Sequence, residues 1–258
     1  HPDVRRMLML LKCHAEGLRG LSLYAAWLQD QIEILGGHGS PEAKRLDQLN
    51  DLLLPLVKGY GSERVYELLG VALQCFGGSG YCTDYPMEQY IRDQKIDSLY
   101  EGTTHIQALD LFFRKIARDG GATLRALLGQ ISDTVEKDLA DSRFESEQAA
   151  MKRALTDVQG IFLAMMKKVP ESVYHAGLQG NRVLFALAEL VVGWRLAKHA
   201  AIAEAKRDGT DGPQQDFYTG KVASFRFYCQ EVLPGLTLAR KLVEKSTLDL
   251  MELSDDAL

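Results

Sequence analysis

Residues 74–107 read QCFGGSGYCTDYPMEQYIRDQKIDSLYEGTTHIQ, and the interpretation of the whole chain turns on them. Glycines, aromatics, a proline and charges sit together here without the plain repeat of a helix. Two glycine-bearing turns, Gly77-Gly78-Ser79-Gly80 and Glu101-Gly102-Thr103-Thr104, interrupt sequence that otherwise reads as helix on both sides. Glycine admits positive φ and close backbone approach, so such turns suit places where a chain must hug a ligand or another backbone. Between them, Pro86 is expected to open a short helix over 87–93.

Outward from this stretch the pattern is helical. Val4, Leu8, Leu11, Ala15 and Leu18 recur at three- and four-residue steps, and the stripe extends through Tyr24, Ala25 and Leu28 to about Leu35. Gly36-Gly37-His38-Gly39 breaks it. Ser40-Pro41-Glu42 then supplies a hydroxyl N-cap, a proline at the first helical position and an acid in the first turn. Leu46, Leu49, Leu53, Leu56 and Val57 are expected to face a core, Pro55 to end or kink the helix, and Lys58-Gly59-Tyr60-Gly61 to form a turn. A further helix runs from Ser62 to about Phe76, and residues 103–118 read as another that ends at Asp119-Gly120-Gly121. Beyond Gly121 the periodicity continues, with helices expected near 122–140, 144–168, 171–207 and 214–252. No β-like alternation of useful length occurs, so the expected class is all-α.

Bulk properties fit this. The 258 residues are 46% hydrophobic and 25% charged, ordinary for a globular protein and enough for a sizeable core. A net charge of −5 with no Lys/Arg-rich block argues against a nucleic-acid partner. Cys13, Cys75, Cys82 and Cys229 have no metal-binding spacing, and His14, His38, His175 and His199 form no ligand set, so no metal site is expected. The cysteines read as buried free thiols, Trp27, Trp194 and the aromatics at 217, 218, 225, 227 and 228 as core. No apolar run reaches the length of a membrane span, and a reducing, cytoplasmic setting is the expectation.

The ordered composite GGSGY…DYP…RD…YEGT…IQ resembles the signature near the end of the acyl-CoA dehydrogenases, flavoenzymes that desaturate acyl-CoA thioesters. The recognisable resemblance covers roughly residues 1–119. It implies an up-and-down four-helix-bundle domain over 1–119, its first helix open to truncation, followed over 120–258 by the appended helical domain of the family's longer branch. It also implies that an N-terminal helical domain and a β domain belong upstream of His1, so the chain reads as a C-terminal portion, inactive alone.

The resemblance further assigns chemistry. Glu101, the Glu of YEGT, is expected to take the α-proton of the acyl-CoA while a β-hydride passes to FAD, giving the trans-2-enoyl-CoA. A carboxylate of ordinary pKa, ~4.3, is a weak base for this step and gains from expulsion of water by the bound acyl chain. Donors at the thioester oxygen stabilise the developing enolate, and losing one typically costs ~2.7–4 kcal/mol. By resemblance these donors are the Glu101 main-chain N–H and a ribityl hydroxyl of FAD. Gln74, Cys75, Phe76, Gly77 and Gly78 are expected to contact the adenine side of the FAD of a neighbouring subunit, implying a homodimer or homotetramer. Thr103 and His105 lie where the family touches FAD; His105 departs from the commoner side chains there, and a surface or core role stays open for it. Tyr100 and Gly102 are expected to border the thioester slot. Arg92-Asp93 reads as an adjacent ion pair that shapes the turn. An electron-transfer flavoprotein is the implied electron acceptor. An acyl-CoA oxidase and a non-catalytic helical interaction module are the alternatives.

Overall fold

The computed structural model describes residues 1–257, and these contain helices and turns but no strand. Helix α1 spans Pro2–Ile34. Helix α2, Pro41–Pro55, starts as expected: Ser40 Oγ accepts the Ala43 N–H at 3.0 Å and Pro41 occupies the first turn. The expected turn at 58–61 does not occur. A π-helical turn, Leu56–Tyr60, carries the chain directly into α3, Gly61–Cys75. Pro55 donates no N–H, and the wider turn follows immediately after it. Gly59 is required for a different reason than turning. A Cβ there would stand 2.7 Å from Leu184 Cδ2 and 3.0 Å from Gln107 Cβ, so the glycine lets two other helices close on this one.

A 3₁₀ stretch, Gly77–Tyr81, leads to α4, Met87–Lys95, and a second, Ile96–Ser98, leads to the Glu101 turn. Helix α5, Thr104–Leu109, continues through a π-helical segment, Asp110–Ile116, to Asp119. The Asp119 carboxylate then caps α6, Ala122–Lys137, accepting from the N–H groups of Gly121, Ala122 and Thr123 at 2.9, 3.1 and 2.9 Å. Burial alone would raise its pKa, but these bonds and the Thr123 hydroxyl outweigh it and hold the pKa below the usual carboxylate value.

Helices α7, Glu145–Lys168, and α8, Tyr174–Arg207, follow, then α9, Gly212–Glu231, and α10, Gly235–Glu244. The single helix expected over 214–252 is thus two. Pro234 cannot donate into a continuing helix and instead starts α10. Helix α8 is buried mainly along its apolar middle, Val183 to Ala197, while its two ends carry exposed polar residues. It packs against α1, α5, α7 and α9, and one continuous core joins residues on both sides of Gly120. Trp194 on α8 is buried and donates to Thr134 Oγ1 on α6 at 2.8 Å.

Burial shifts several assignments. Leu8 and Ala15 are exposed, and the buried face of α1 runs instead through Met7, Cys13, His14, Gly17, Leu21 and Leu28. A Cβ at Gly17 would fall 2.5 Å from Val192 Cγ1, so the inward face of α1 is the one that α8 can approach most closely. Trp27 and Phe217 lie on the surface, 49% and 57% exposed, and Cys82 is exposed as well. Arg92 pairs with Glu88 one turn earlier rather than with Asp93, because residues four apart share a helix face and adjacent ones do not.

Candidate functional site

The 3₁₀ turn Ile96–Ser98 closes with the N–H groups of Leu99 and Tyr100 both on the Ile96 carbonyl, at 2.9 and 3.1 Å. The chain then reverses through Glu101 at φ +56° and Gly102 at φ +88°, and Thr103 at ψ 165° feeds α5. Glu101 is the one non-glycine residue with positive φ among the described residues. A left-handed backbone costs an L-residue roughly 1–2 kcal/mol and persists only where neighbours impose it.

Three contacts impose it here. Gln107 Nε2 donates to the Glu101 carbonyl at 3.1 Å. The Lys58 ammonium, from the π-helical turn, donates to the Gly102 carbonyl and lies 6.0 Å from the Tyr100 ring centre. The buried Thr104 hydroxyl donates to Glu63 Oε1 at 2.7 Å, while Glu63 Oε2 faces Lys95 Nζ at 3.6 Å. The Glu101 N–H enters no backbone hydrogen bond and stays available at the turn.

Glu101 and Tyr100 line a cleft of about 390 Å³. Its other walls come from Leu18 and Ser22 on α1, Val57 and Lys58 on the π-helical turn, Ser62 and Val65 on α3, Gln94 on α4 and Asp97 in the 3₁₀ turn that follows. Charge on Asp97 raises the Tyr100 phenol pKa, so this hydroxyl keeps its proton. The cleft therefore presents a carboxylate, a phenol and a free main-chain donor beside apolar side chains, a set suited to moving a proton next to a carbonyl group. Gly102 borders the cleft only through its carbonyl bond to Lys58.

The remaining sequence-derived candidates lie elsewhere. Gln74 to Gly78 form the end of α3 and the following turn, and none of them lines the Glu101 cleft. Gln74 and Phe76 are exposed and Cys75 is half-buried. The Phe76 ring stands 5.1 Å from that of Tyr85, and Tyr81, in the same turn region, is 81% exposed. No heavy atom lies within 4 Å of where a Cβ on Gly77 or Gly78 would be. This open backbone beside exposed rings fits the adenine end of a dinucleotide, which needs close main-chain approach and a stacking surface. Thr103 is exposed and its hydroxyl caps nothing in α5. His105, also outside the cleft, meets Asn181 of α8, with Nδ1 3.3 Å from Oδ1.

Lys58, Glu63, Gln107 and Asn181 support these residues and were not singled out from sequence. Gln107 ends the 74–107 stretch, six residues past Glu101, where a polar side chain one helical turn into α5 can reach back to the turn. Lys58 was hidden in a segment read as a turn.

Comparison with known proteins bears on this arrangement. Residues 1–114 match the family described as "Acyl-CoA dehydrogenase, C-terminal domain", and residues 127–254 match "Acetyl-CoA dehydrogenase C-terminal like". The chain belongs to the acyl-CoA dehydrogenase family. Among curated acyl-CoA dehydrogenases, it is 47% identical to the broad-specificity linear acyl-CoA dehydrogenase FadE5 of Mycobacterium tuberculosis, over all of this chain and 43% of that protein. It is 34% identical to the 3-methylmercaptopropionyl-CoA dehydrogenase of Ruegeria pomeroyi, over 90% of this chain and 39% of that one. The chain thus spans less than half the length of these relatives. A solved structure of the Caenorhabditis elegans acyl-CoA dehydrogenase-family protein ACDH-11, in complex with C11-CoA, has the same helical fold. It superposes with a TM-score of 0.66 at 18% identity, covering 86% of this chain and 35% of that one. No helix among the described residues is long and apolar enough to cross a membrane.

Proposed function

We propose that this chain is the C-terminal part of an FAD-dependent acyl-CoA dehydrogenase in which Glu101 is the base that removes the α-proton of the thioester. The observation that carries this reading is the Glu101 turn: a carboxylate on a strained, three-point-anchored backbone at the wall of a cleft, with its own N–H unpaired. Glu101 Oε would take the proton from the carbon beside the thioester carbonyl. The Glu101 N–H would donate to the carbonyl oxygen as negative charge builds there. Tyr100, Leu18 and Val57 would pack along the acyl-thioester and exclude water. When bound, FAD supplies the acceptor for the β-hydride, so that product is a trans-2-enoyl-CoA. Phe76, Gly77 and Gly78, with Gln74 and Cys75 beside them, would hold the adenine end of the FAD of a neighbouring subunit, and Thr103 and His105 would meet a cofactor behind the base.

The same reading covers assembly and organisation. It divides the chain at Gly120-Gly121 into a bundle domain, 1–119, and an appended helical domain, 120–258. It makes the intact enzyme a homodimer or homotetramer in the cytoplasm that hands its electrons to an electron-transfer flavoprotein. It also holds the isolated chain inactive, because the upstream domains would complete the flavin pocket.

Replacement Glu101→Gln in the protein completed with its N-terminal domains tests the reading. The expected loss of kcat is about 10²–10⁴-fold, the usual contribution of a positioned base. Activity that survives the change would overturn the assignment. Flavin absorbance with acyl-CoA-dependent bleaching in the purified chain alone would overturn the claim that it is inactive.

A further inference from the structure

Helix α8 lies in the half of the chain beyond Gly121, yet it reaches back to α5 directly behind the Glu101 turn. Gly180 lies at the approach, with room for ordinary contact. A Cβ at that position would stand 3.4 Å from Ala108 Cβ and 3.5 Å from His105 Cε1, in contact with both. One residue further on, Asn181 Oδ1 lies 3.3 Å from His105 Nδ1. With the amide oxygen of the exposed Asn181 facing the ring, the contact is a hydrogen bond when the imidazole nitrogen carries the proton, because an amide oxygen can only accept. A neutral imidazole has a single N–H. With Nδ1 donating to Asn181, Nε2 keeps its lone pair, and it has no hydrogen-bond partner among the described residues.

We propose that Asn181 is a positioning residue that fixes the Nδ1–H tautomer of His105, so that Nε2 meets the flavin dinucleotide as a hydrogen-bond acceptor. The chemistry selected on the ligand is a hydroxyl or an N–H group rather than a phosphate oxygen, since a lone pair repels an anion and accepts from a donor. The helices beyond Gly121 thereby take part in the cofactor site. The cofactor half of this inference rests on the function proposed above; the tautomer half rests on this chain alone. An outer partner that sets which ring nitrogen carries the proton is a general way for proteins to aim a histidine.

The test has two arms. On the uniformly ¹⁵N-labelled 258-residue chain, long-range proton–nitrogen spectra near pH ~8, above the ordinary imidazole range, report which ring nitrogen is protonated. His105 signals are assigned by their loss in His105→Gln. The expected result is protonation on Nδ1, abolished as a preference by Asn181→Leu and retained by Asn181→Asp, whose carboxylate accepts in the same place. In the intact holoenzyme, the FAD dissociation constant is expected to rise about 2- to 10-fold for Asn181→Leu, the weight of one hydrogen bond. Asn181→Asp is expected to restore it. Protonation on Nε2 in the parent chain, or a tautomer unmoved by Asn181→Leu, overturns the tautomer half. An unchanged dissociation constant in a Leu variant that has lost the tautomer overturns the cofactor half. If both arms come out as expected while Glu101→Gln stays active, the base assignment falls and this inference stands. If the intact protein binds no FAD, the proposed function and the cofactor half fall together, and the tautomer spectra still decide the rest.

Discussion

Replacing Gly102 by Ala separates the strain of the Glu101 turn from its purpose. Gly102 has φ +88°, a region that costs an L-residue roughly 1–2 kcal/mol. The new Cβ would also stand 3.2 Å from Ile106 Cγ2 and 3.3 Å from Gln107 Nε2, closer than ordinary packing allows. Those neighbours must give by a few tenths of an ångström, and small overpacking of this kind adds on the order of 1 kcal/mol. Gln107 Nε2 is the group that holds the Glu101 carbonyl, so its displacement moves the base directly. The variant should therefore lose about 2–3 kcal/mol of stability. At about 2–4 °C per kcal/mol for a chain of this size, its melting temperature should drop by roughly 4–12 °C. Gly37→Ala is the control. Gly37 has nearly the same φ, +80°, with nothing within 4 Å of the added Cβ, and lies far along the sequence from the turn. It should show the backbone cost without the packing cost. In the intact enzyme, Gly37→Ala should leave kcat unchanged, whereas Gly102→Ala should lower it, by less than the ~10²-fold that misplacing a reacting group by about an ångström costs. Equal kcat values for the two variants would refute the view that the turn exists to place Glu101.

Three further perturbations follow from the same contacts. Lys58→Met removes the ammonium from the Gly102 carbonyl, a charge-assisted bond of about 1.5–3 kcal/mol, and should lower kcat of the intact enzyme with little change in the far-ultraviolet circular dichroism; an unaltered kcat would exclude Lys58 from the anchoring. Arg64 pairs with the half-buried Glu189 at 2.5 Å, and Arg64→Met should cost on the order of 3 kcal/mol in urea denaturation by leaving that carboxylate unpaired; Arg64→Met with Glu189→Leu should recover most of the loss, and a double variant no better than the single would refute the pairing argument. His14 is buried, with Nδ1 2.9 Å from the Leu10 carbonyl, and burial, with Arg64 nearby, pushes its pKa down to about 4 although the Leu10 bond opposes this. Its folded pKa lies below the unfolded value of about 6.5, so the stability it contributes is full above that value and is lost as pH falls toward 4, by about 3 kcal/mol. Denaturation midpoints between pH 7 and 4 should fall for the parent and fall less steeply for His14→Phe; parallel slopes would refute the buried neutral imidazole.

The helix starts and stops that were legible have local causes. Ser40-Pro41-Glu42 caps α2 through atoms three residues apart, and Gly120-Gly121 turns the chain on its own φ angles of +62° and +77°. Gly59 was misread because a glycine between Lys58 and Tyr60 has two possible reasons to be there, and only one is local. The other, contact with Leu184, involves a residue 125 positions away, and no window of sequence contains both. Trp27 misled for a related reason. Its size argues for burial, but which face of α1 turns inward is decided by how closely α8 can approach Gly17, not by hydropathy along α1.

The same division runs through the candidate site and explains which parts of it had to wait for the structure. The reactive stretch could be picked out because its own residues, Tyr100 to Gln107, are contiguous and chemically unusual. The groups that would hold it in shape are not contiguous with it. Lys58 is 44 residues from the carbonyl it binds, Glu63 is 41 from Thr104, and Asn181 is 76 from His105. Glu63 and Asn181 sit on helices whose course is set by core packing, so each polar side chain reads in sequence as one solvated residue among many, and Lys58 sits in a π-helical turn whose sequence reads as a loop. A strained turn of this kind is cheap only when rigid helices converge on it. Helix α8 packs against α1 and against two of the elements that carry these anchors, α5 and the π-helical turn. It follows that a substitution loosening the α1–α8 contact, such as Gly17→Val against Val192, should disturb the Glu101 turn before it unfolds the chain. Faster amide hydrogen exchange confined first to residues 99–107 would show this; exchange that rises uniformly across α1, α5 and α8 would show that the turn holds its shape without them.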